Sequence, residues 1–401
     1  MRRTANTFLH RSRFQLGFVT LFLVLSSIPL IATLVSNRYS AKLESNTAAI
    51  WYRSAVEPVQ ELRPLVAFPQ TWVGSWYDSD RNYHGFEKWF GDHLAFRDLM
   101  IRLKNELDYR IFRSSTRVYF AANDEIYGRR LLDVELPAVE AFLTPPENAI
   151  LVKRGMVKFA EALKAQGVTA IYVTPLEKEY FWPDRLPFFA PTIDRSSHFF
   201  GLYKRLLGEP RLHIVDVVGL LDQLQTTTQT FYTQDFHWTH MSAMAVSKDI
   251  VNMIAQWEGS PVSWQHPFDY SLKPFVGSDA RFSARLTGQD GVLEPQLKRE
   301  WADVHQKIPL DAAQTGLEFE TDKITDRGLL PSACMFGNSF SDGMLEAGIP
   351  DYFESFTKLD RSRSVSEIPA LIKGRCKYLI IQILDLQLQH WVSFMHEGQD
   401  S

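Results

Sequence analysis

The chain has 401 residues, 45% of them apolar and 22% charged, with a formal net charge of −4. That composition supplies a sizeable core, in one large α/β domain or in two smaller ones. The slight acidity and the lack of a Lys/Arg-rich run after the first apolar segment speak against a nucleic-acid partner, and no repeat or low-complexity tract suggests a solenoid or a fibre.

The first predicted element is a membrane anchor. Residues 14–36, FQLGFVTLFLVLSSIPLIATLVS, form a run of 23 residues without a charge. At about 1.5 Å rise per residue, such a run crosses a hydrocarbon core roughly 30 Å thick. Arg2, Arg3, Arg11 and Arg13 precede it, and only Arg38 and Lys42 follow closely. The positive-inside rule therefore predicts a cytoplasmic tail over residues 1–13, a transmembrane helix over 14–36 and the remainder on the far side. The alternative is a cleaved signal peptide, whose apolar region is usually about 7–15 residues and ends in a small-x-small site. No good site of that kind follows Ser36. Pro29 is tolerable in a spanning helix.

Residues 37–80, with Pro58, Pro64 and Pro69, read as a membrane-proximal connector. The main domain is predicted over 81–395. From Phe86 to Ile111 a three-to-four spacing of apolar residues predicts helix. RVYFAANDEIYGRRL then reads as a hairpin turning at Asn123 and Asp124. Next, helices are predicted over 150–166 and 198–207 and strands over 168–175 and 212–218. A further helix follows Trp238, with Thr239 as its N-cap. Residues 258–330 carry five prolines and read as an insertion or a long excursion. Strands are predicted over 332–336 and 377–384, with a helix beginning near Ser341. Continuous apolar strands alternating with helices indicate an α/β fold, with a mainly parallel sheet covered on both faces. Cys334 and Cys376 each border an apolar run and are expected to be two buried free thiols.

Two short stretches carry the chemistry. In CMFGNSFS a strand ends at Phe336, Gly337 permits a tight turn, and Ser339 falls at the carboxyl end of the strand, where ligands of open α/β sheets bind. Backbone N–H groups at the following helix start are ready oxyanion donors. Ser339 is then either a nucleophile or merely a helix cap. In DFHWTH an extended backbone puts Asp235 and His237 on one side, so the aspartate can orient the imidazole toward Ser339. The alternatives are a metal box of Asp235, His237 and His240, or a polar turn with His237 bonded locally. His93, near Arg97, is the one other histidine of interest.

Together the stretches resemble the AlgJ/AlgX-like O-acetyltransferases of bacterial exopolysaccharide systems, in the SGNH-hydrolase-like superfamily. The likeness runs over roughly residues 85–390. It rests on FEKWFGDHLAFRDLMIRLKN, VYFAANDEIYG, FYTQDFHWTHMSAMAV and CMFGNSFSDGML. It implies a three-layer α/β/α fold and a Ser-His-Asp triad at Ser339, His237 and Asp235, without metal or cofactor. It also implies transfer of acetyl, through an acetyl-serine, to hydroxyls of an exported polysaccharide such as alginate. The implied setting is the periplasmic side of a bacterial inner membrane, with a multi-spanning membrane acyltransferase as acetyl donor. TPLEKEYFWPDRLP, residues 174–187, resembles a family segment that would put Lys178 and Tyr180 in the substrate groove. Trp238 and Asn338, beside the presumptive base and nucleophile, are further binding candidates. Asn338 stands where the family usually has Asp. Asn123, Asp124 and Glu125 replace a glycine-containing turn, and the last strand lacks the usual acidic ending. Two other functions fit the same residues: a carbohydrate acetyl esterase, and a non-catalytic polysaccharide-binding or assembly factor.

Overall fold

The computed structural model describes residues 79–399 apart from 95–96, 288–290, 302, 304, 310–318 and 324–327, together with scattered positions before residue 79. The expected span over 14–36 and the connector over 37–80 lie almost wholly outside the described residues. Among the described residues no helix is long and apolar enough to cross a membrane. The chain divides into two compact units, one of residues 1–113 with 281–288 and one of residues 114–280 with 289–401.

In the first unit the predicted helical stretch is two helices, α1 (Ser79–His93) and α2 (Arg97–Phe112). Polar side chains of α2 hold the 281–288 segment. Arg102 donates to the Arg285 carbonyl at 3.0 Å, and Glu106 accepts from the Thr287 hydroxyl at 2.6 Å.

The second unit opens with the predicted hairpin, β1 (Val118–Phe120) paired antiparallel with β2 (Ile126–Gly128). Asn123 and Asp124 turn it with φ of 58° and 60°, a left-handed conformation that Asn and Asp tolerate better than most residues. Helices α3 (Leu136–Leu143) and α4 (Pro146–Ala165) lead to β3 (Thr169–Val173), followed by α5 (His198–Leu207) and β4 (His213–Ile214). The strand expected over 212–218 stops early. Asp216 accepts from the Gly219 N–H at 3.0 Å and so starts α6 (Val217–Leu224) inside the apolar run. A local cap here overrides the strand preference of consecutive valines.

Then come α7 (His240–Glu258), β5 (Tyr270–Phe275), α8 (Ser278–Ser283), β6 (Val292–Leu297), β7 (His305–Pro309) and β8 (Phe319–Lys323). The chain finishes with β9 (Ala333–Phe336), α9 (Ser339–Glu346), β10 (Phe356–Leu359), α10 (Ile368–Leu371), β11 (Tyr378–Gln382) and α11 (Leu388–Gln399). The main sheet runs β4-β3-β11-β9-β10-β8-β7. Its first five strands are parallel, β8 is antiparallel to β10 and β7 is antiparallel to β8, so the sheet is mixed. Residues 258–330 thus supply two of its strands as well as the separate β5–β6 hairpin.

Alternation along the central strands builds the layers. Ala170, Tyr172, Cys334, Phe336, Leu379 and Ile381 join one buried cluster, and Ile171, Val173, Ala333, Met335, Tyr378 and Ile380 join the other. Successive strand side chains point to opposite faces, so each face needs its own cover. Helices α4, α5 and α11 cover the first through Val152, Met156, Phe159, Tyr203, Trp391 and Phe394. Helices α6, α7 and α9 cover the second, with Ala243, Val246, Ile250 and Ile254 forming a three-to-four stripe on α7.

The cysteines correct an expectation. Cys334 and Cys376 are not free thiols but form a disulfide across 42 residues, with Cα atoms 5.7 Å apart. The cause is strand order. β11 pairs in parallel with β9, which brings Cys376, two residues before β11, beside Cys334. Closing a loop of that length stabilises the fold by up to about 4 kcal/mol through the unfolded chain. Unfolding midpoints of oxidised protein, with and without dithiothreitol, should therefore separate clearly. Coincident midpoints, with both thiols alkylated only after reduction, would show that the bond carries no stability.

Candidate active site

The serine turn is built by the strand before it and the helix after it. β9 delivers the chain to the sheet's carboxyl edge, and Gly337 then passes too close to β11 for any side chain. A Cβ at Gly337 would stand 2.8 Å from Gln382 Oε1 and 2.9 Å from Ser341 Cβ. Gln382 Oε1 accepts from the Asn338 N–H at 2.9 Å and fixes the turn. Lys358, buried on β10, donates to the Gly337 carbonyl at 2.9 Å. Asn338 is the N-cap of α9, its Oδ1 accepting from the Phe340 N–H at 3.0 Å. The capping role therefore falls to Asn338, and Ser339 Oγ is left for another partner.

That partner is His237, whose Nε2 lies 2.7 Å from Ser339 Oγ. Its Nδ1 lies 2.6 Å from Asp235 Oδ1. A carboxylate only accepts, so Nδ1 carries the proton and Nε2 faces the hydroxyl as acceptor. Asp235 Oδ1 also takes the His237 N–H at 2.9 Å, and Oδ2 takes the Ser278 N–H at 2.7 Å. Burial pushes the Asp235 carboxyl up, but the hydrogen bond and charge of His237, with the two backbone N–H groups, outweigh it and hold it at about 2. Asp235 is thus ionised at any ordinary pH.

The loop carrying the pair is tied down on both sides. Phe231 and Trp238 form a β-bridge, and the Tyr232 N–H donates to the His237 carbonyl at 3.2 Å. Trp238 Nε1 donates to the Phe340 carbonyl at 3.0 Å, linking the loop directly to α9. The Phe236 ring lies against the His237 ring with centroids 3.9 Å apart. Gly277 admits the loop closely, since a Cβ there would stand 1.9 Å from the Gln234 carbonyl oxygen.

The other candidates fall differently. Lys178 is buried, and its ammonium donates to the carbonyls of Ile126 at 2.7 Å, Thr233 at 3.2 Å and Asp235 at 3.0 Å, with Tyr232 at 3.4 Å. It supports the loop from beneath and does not line a groove. Tyr180 and Trp238 are also buried, at 2% exposure each, and present no binding face. Only Asn338, half-buried beside Ser339, keeps an accessible position. His240 is engaged by Glu346 at 2.9 Å. His93 belongs to the first unit, where its Nδ1 lies 2.9 Å from the Trp89 carbonyl. Among the described residues no group of three or more His, Cys, Asp or Glu side chains is placed to hold a metal ion. Sequence reasoning missed Gln382, Lys358 and the Ser278 N–H. The two side chains had a faint signal: Gln382 ends an otherwise apolar strand, and Lys358 is a charge within a short buried one. A backbone donor has none.

The model of the family described as the SGNH hydrolase-like domain of acetyltransferase AlgX matches residues 140–343, which take in Asp235, His237 and Ser339. Solved structures similar to this chain include the O-acetyltransferase domain of Pseudomonas putida AlgJ. It is 11% identical over 71% of this chain and 100% of that one, with a TM-score of 0.46. Bacillus cereus PatB1 is 14% identical over 61% of this chain and 91% of its own, with a TM-score of 0.45. Pseudomonas aeruginosa AlgX is 14% identical over 71% and 66%, with a TM-score of 0.36. No curated protein matches the chain.

Beneath the loop lies a buried acidic group: Glu177, Glu179, Asp279 and Asp385, with Lys178 among them. Burial pushes Glu177 well up, and the charges of Asp385, Glu179 and Asp279 add to it against Lys178. Burial likewise raises Glu179, Asp279 and Asp385. Both Glu177 carboxyl oxygens are without a hydrogen-bond partner among the described residues. A carboxyl that holds its proton more tightly when folded destabilises the fold progressively as pH rises above its unfolded value. Glu177→Gln keeps the shape and removes the titration. The variant should gain a few degrees in melting temperature over wild type at pH 8 and little or nothing at pH 4. Parallel pH profiles for the two proteins would refute this account of Glu177.

Proposed function

We propose that this chain, which belongs to the AlgX family of SGNH-hydrolase-like acetyltransferase domains, transfers acetyl groups to hydroxyls of an exported polysaccharide through an acetyl-Ser339 intermediate. The observation that carries the reading is the unbroken line from Asp235 through His237 to Ser339 Oγ, with bonds of 2.6 and 2.7 Å, ending at the first residue of a helix.

In the first half-reaction His237 Nε2 takes the Ser339 proton as Oγ bonds to the acetyl carbonyl carbon. Asp235, ionised and buried, stabilises the imidazolium that forms. Developing charge on the carbonyl oxygen falls at the start of α9, where the Ser339 N–H has no intrahelical acceptor and the helix dipole favours negative charge. The donor's leaving group departs with the proton from Nε2. In the second half-reaction a sugar hydroxyl gives its proton to Nε2 while its oxygen bonds to the carbonyl carbon. Ser339 Oγ then leaves and recovers the proton. Asn338, its Oδ1 occupied by the cap, keeps its Nδ2 donors for the acyl group or the acceptor.

The proposed setting is the periplasmic face of a bacterial inner membrane, with residues 14–36 as a single anchor and a multi-spanning membrane acyltransferase as acetyl donor. The charge-free run flanked by N-terminal arginines supports the anchor. The Cys334–Cys376 disulfide supports an oxidising compartment. Alginate, a chain of uronates, is one acceptor consistent with the family; a polysaccharide with neutral residues is another.

The test is mass spectrometry of the protein after exposure to p-nitrophenyl acetate, with and without an oligosaccharide. Acetyl should appear on Ser339, move to the sugar, and be absent from Ser339→Ala. Asp235→Asn, which gives His237 the wrong tautomer, should slow acylation by about 10⁴-fold. Acetyl passing only to water would make the protein an esterase. Equal behaviour of wild type and Ser339→Ala would leave a polysaccharide-binding factor.

A further inference from the structure

An open pocket of about 620 Å³ lies beside the loop that carries Asp235 and His237. Its size falls within the usual range of small-ligand sites, about 300–1,000 Å³. One wall is the 122–125 turn of the β1–β2 hairpin, one is the segment with Trp182 and Arg185, and one is the hydroxyl- and amide-rich run QTTTQT, residues 225–230, with Thr233.

The lining pairs donors with acceptors. Arg185 lies over the Trp182 ring, 3.9 Å from its centroid, and donates to Glu125. Glu125 is buried and also accepts from the Tyr127 hydroxyl at 2.6 Å. Arg185 is 42% exposed, and apart from the Glu125 bond its N–H donors have no hydrogen-bond partner among the described residues. The Thr230 side chain is fully buried, and its Oγ1, like that of Thr228, lacks a hydrogen-bond partner among the described residues. The polar groups of this wall that a ligand can reach are those of Gln225, Thr226 and Thr227, which are exposed. The lining carries one positive and one negative side chain, which cancel. That balance suits neither a phosphate nor an apolar group. It suits a neutral sugar, whose every hydroxyl both donates and accepts.

The pocket is also mechanically joined to the reacting groups. Gln229, Thr230 and Thr233 line it, and residues 229–233 are one leg of the loop whose other leg is 237–239. The legs are held together by the Thr239 N–H on the Thr230 carbonyl at 2.9 Å and by the Phe231–Trp238 bridge. Thr233 lies two residues before Asp235. We propose that this pocket holds a neutral glycosyl residue of the acceptor chain while another residue of that chain is presented to Ser339. The assignment rests on the acceptor being a polysaccharide, as inferred above.

Binding is tested on the full chain by tryptophan fluorescence, using cellotetraose and methyl β-D-glucopyranoside as neutral probes and tetragalacturonate as an acidic one. Cellotetraose should change the emission saturably, and Trp182→Phe should remove most of that change. Arg185→Ala should weaken binding about tenfold, the scale of one lost hydrogen bond. Arg185 is 42% exposed, so its variant should fold and keep the test valid. No saturable binding of either neutral probe, an unchanged Kd in Arg185→Ala, or binding of tetragalacturonate alone overturns the proposal. Acetyl loading of wild-type Ser339 is measured separately without sugar. Its failure would sink the transferase reading, whereas sugar binding is judged by the fluorescence alone.

Discussion

The ammonium of Lys178 sits where three stretches of chain meet: the end of the β1–β2 hairpin, its own segment after β3, and the loop that carries Asp235 and His237. It bonds carbonyl oxygens of the first and the third. Those carbonyls face inward and have no water to bond, so a buried cation is the economical donor. The acidic side chains around it would repel one another if ionised, and burial raises the pKa of each. Positive charge at one atom and suppressed negative charge around it together fix the height of the loop. Asp235 then meets the Ser278 N–H, and His237 meets Ser339. The Asp235–His237–Ser339 line is thus held from behind, by a charge bonded to the Asp235 carbonyl rather than to its carboxylate.

On the other side of that line, roles that the sequence left competing are divided between neighbours. Asn338 caps α9 and Ser339 does not, so the serine hydroxyl is free for the imidazole. Gln382 and Lys358 hold the turn through its backbone, from the two strands that flank β9. Gly337 permits this because a side chain there would collide with Gln382. Substitution at any of these positions would act on Ser339 through geometry and leave its chemistry intact.

Much of this was legible in sequence where the information is local. The pairing of Asp235 with His237 was expected, but its stated reason was not met: residues 235–237 are a bend closed by the His237 N–H on Asp235 Oδ1, not an extended stretch. The strand-turn-helix pattern around Ser339 placed it at the sheet edge, and the Thr239 cap started α7 where expected. What failed was non-local. Cys334 and Cys376 each looked like a thiol in an apolar run, because nothing local reveals that β9 and β11 are neighbours. Lys178 was expected in a substrate groove and is instead buried, because its four carbonyl contacts come from positions 52 to 57 residues away. The 212–218 run was apolar enough for a strand, yet one capping aspartate turned it into a helix.

The Cys334–Cys376 bond also sets when the site is finished. It joins the strand that delivers Ser339 to the chain entering the strand that ends in Gln382, the residue gripping the serine turn. Closing it takes two electrons from the polypeptide, and an external oxidant must accept them. The covalent step that closes the surroundings of Ser339 is therefore not encoded in the fold alone. It is timed by the redox chemistry the chain meets, and a reduced chain carries the same residues on a looser scaffold.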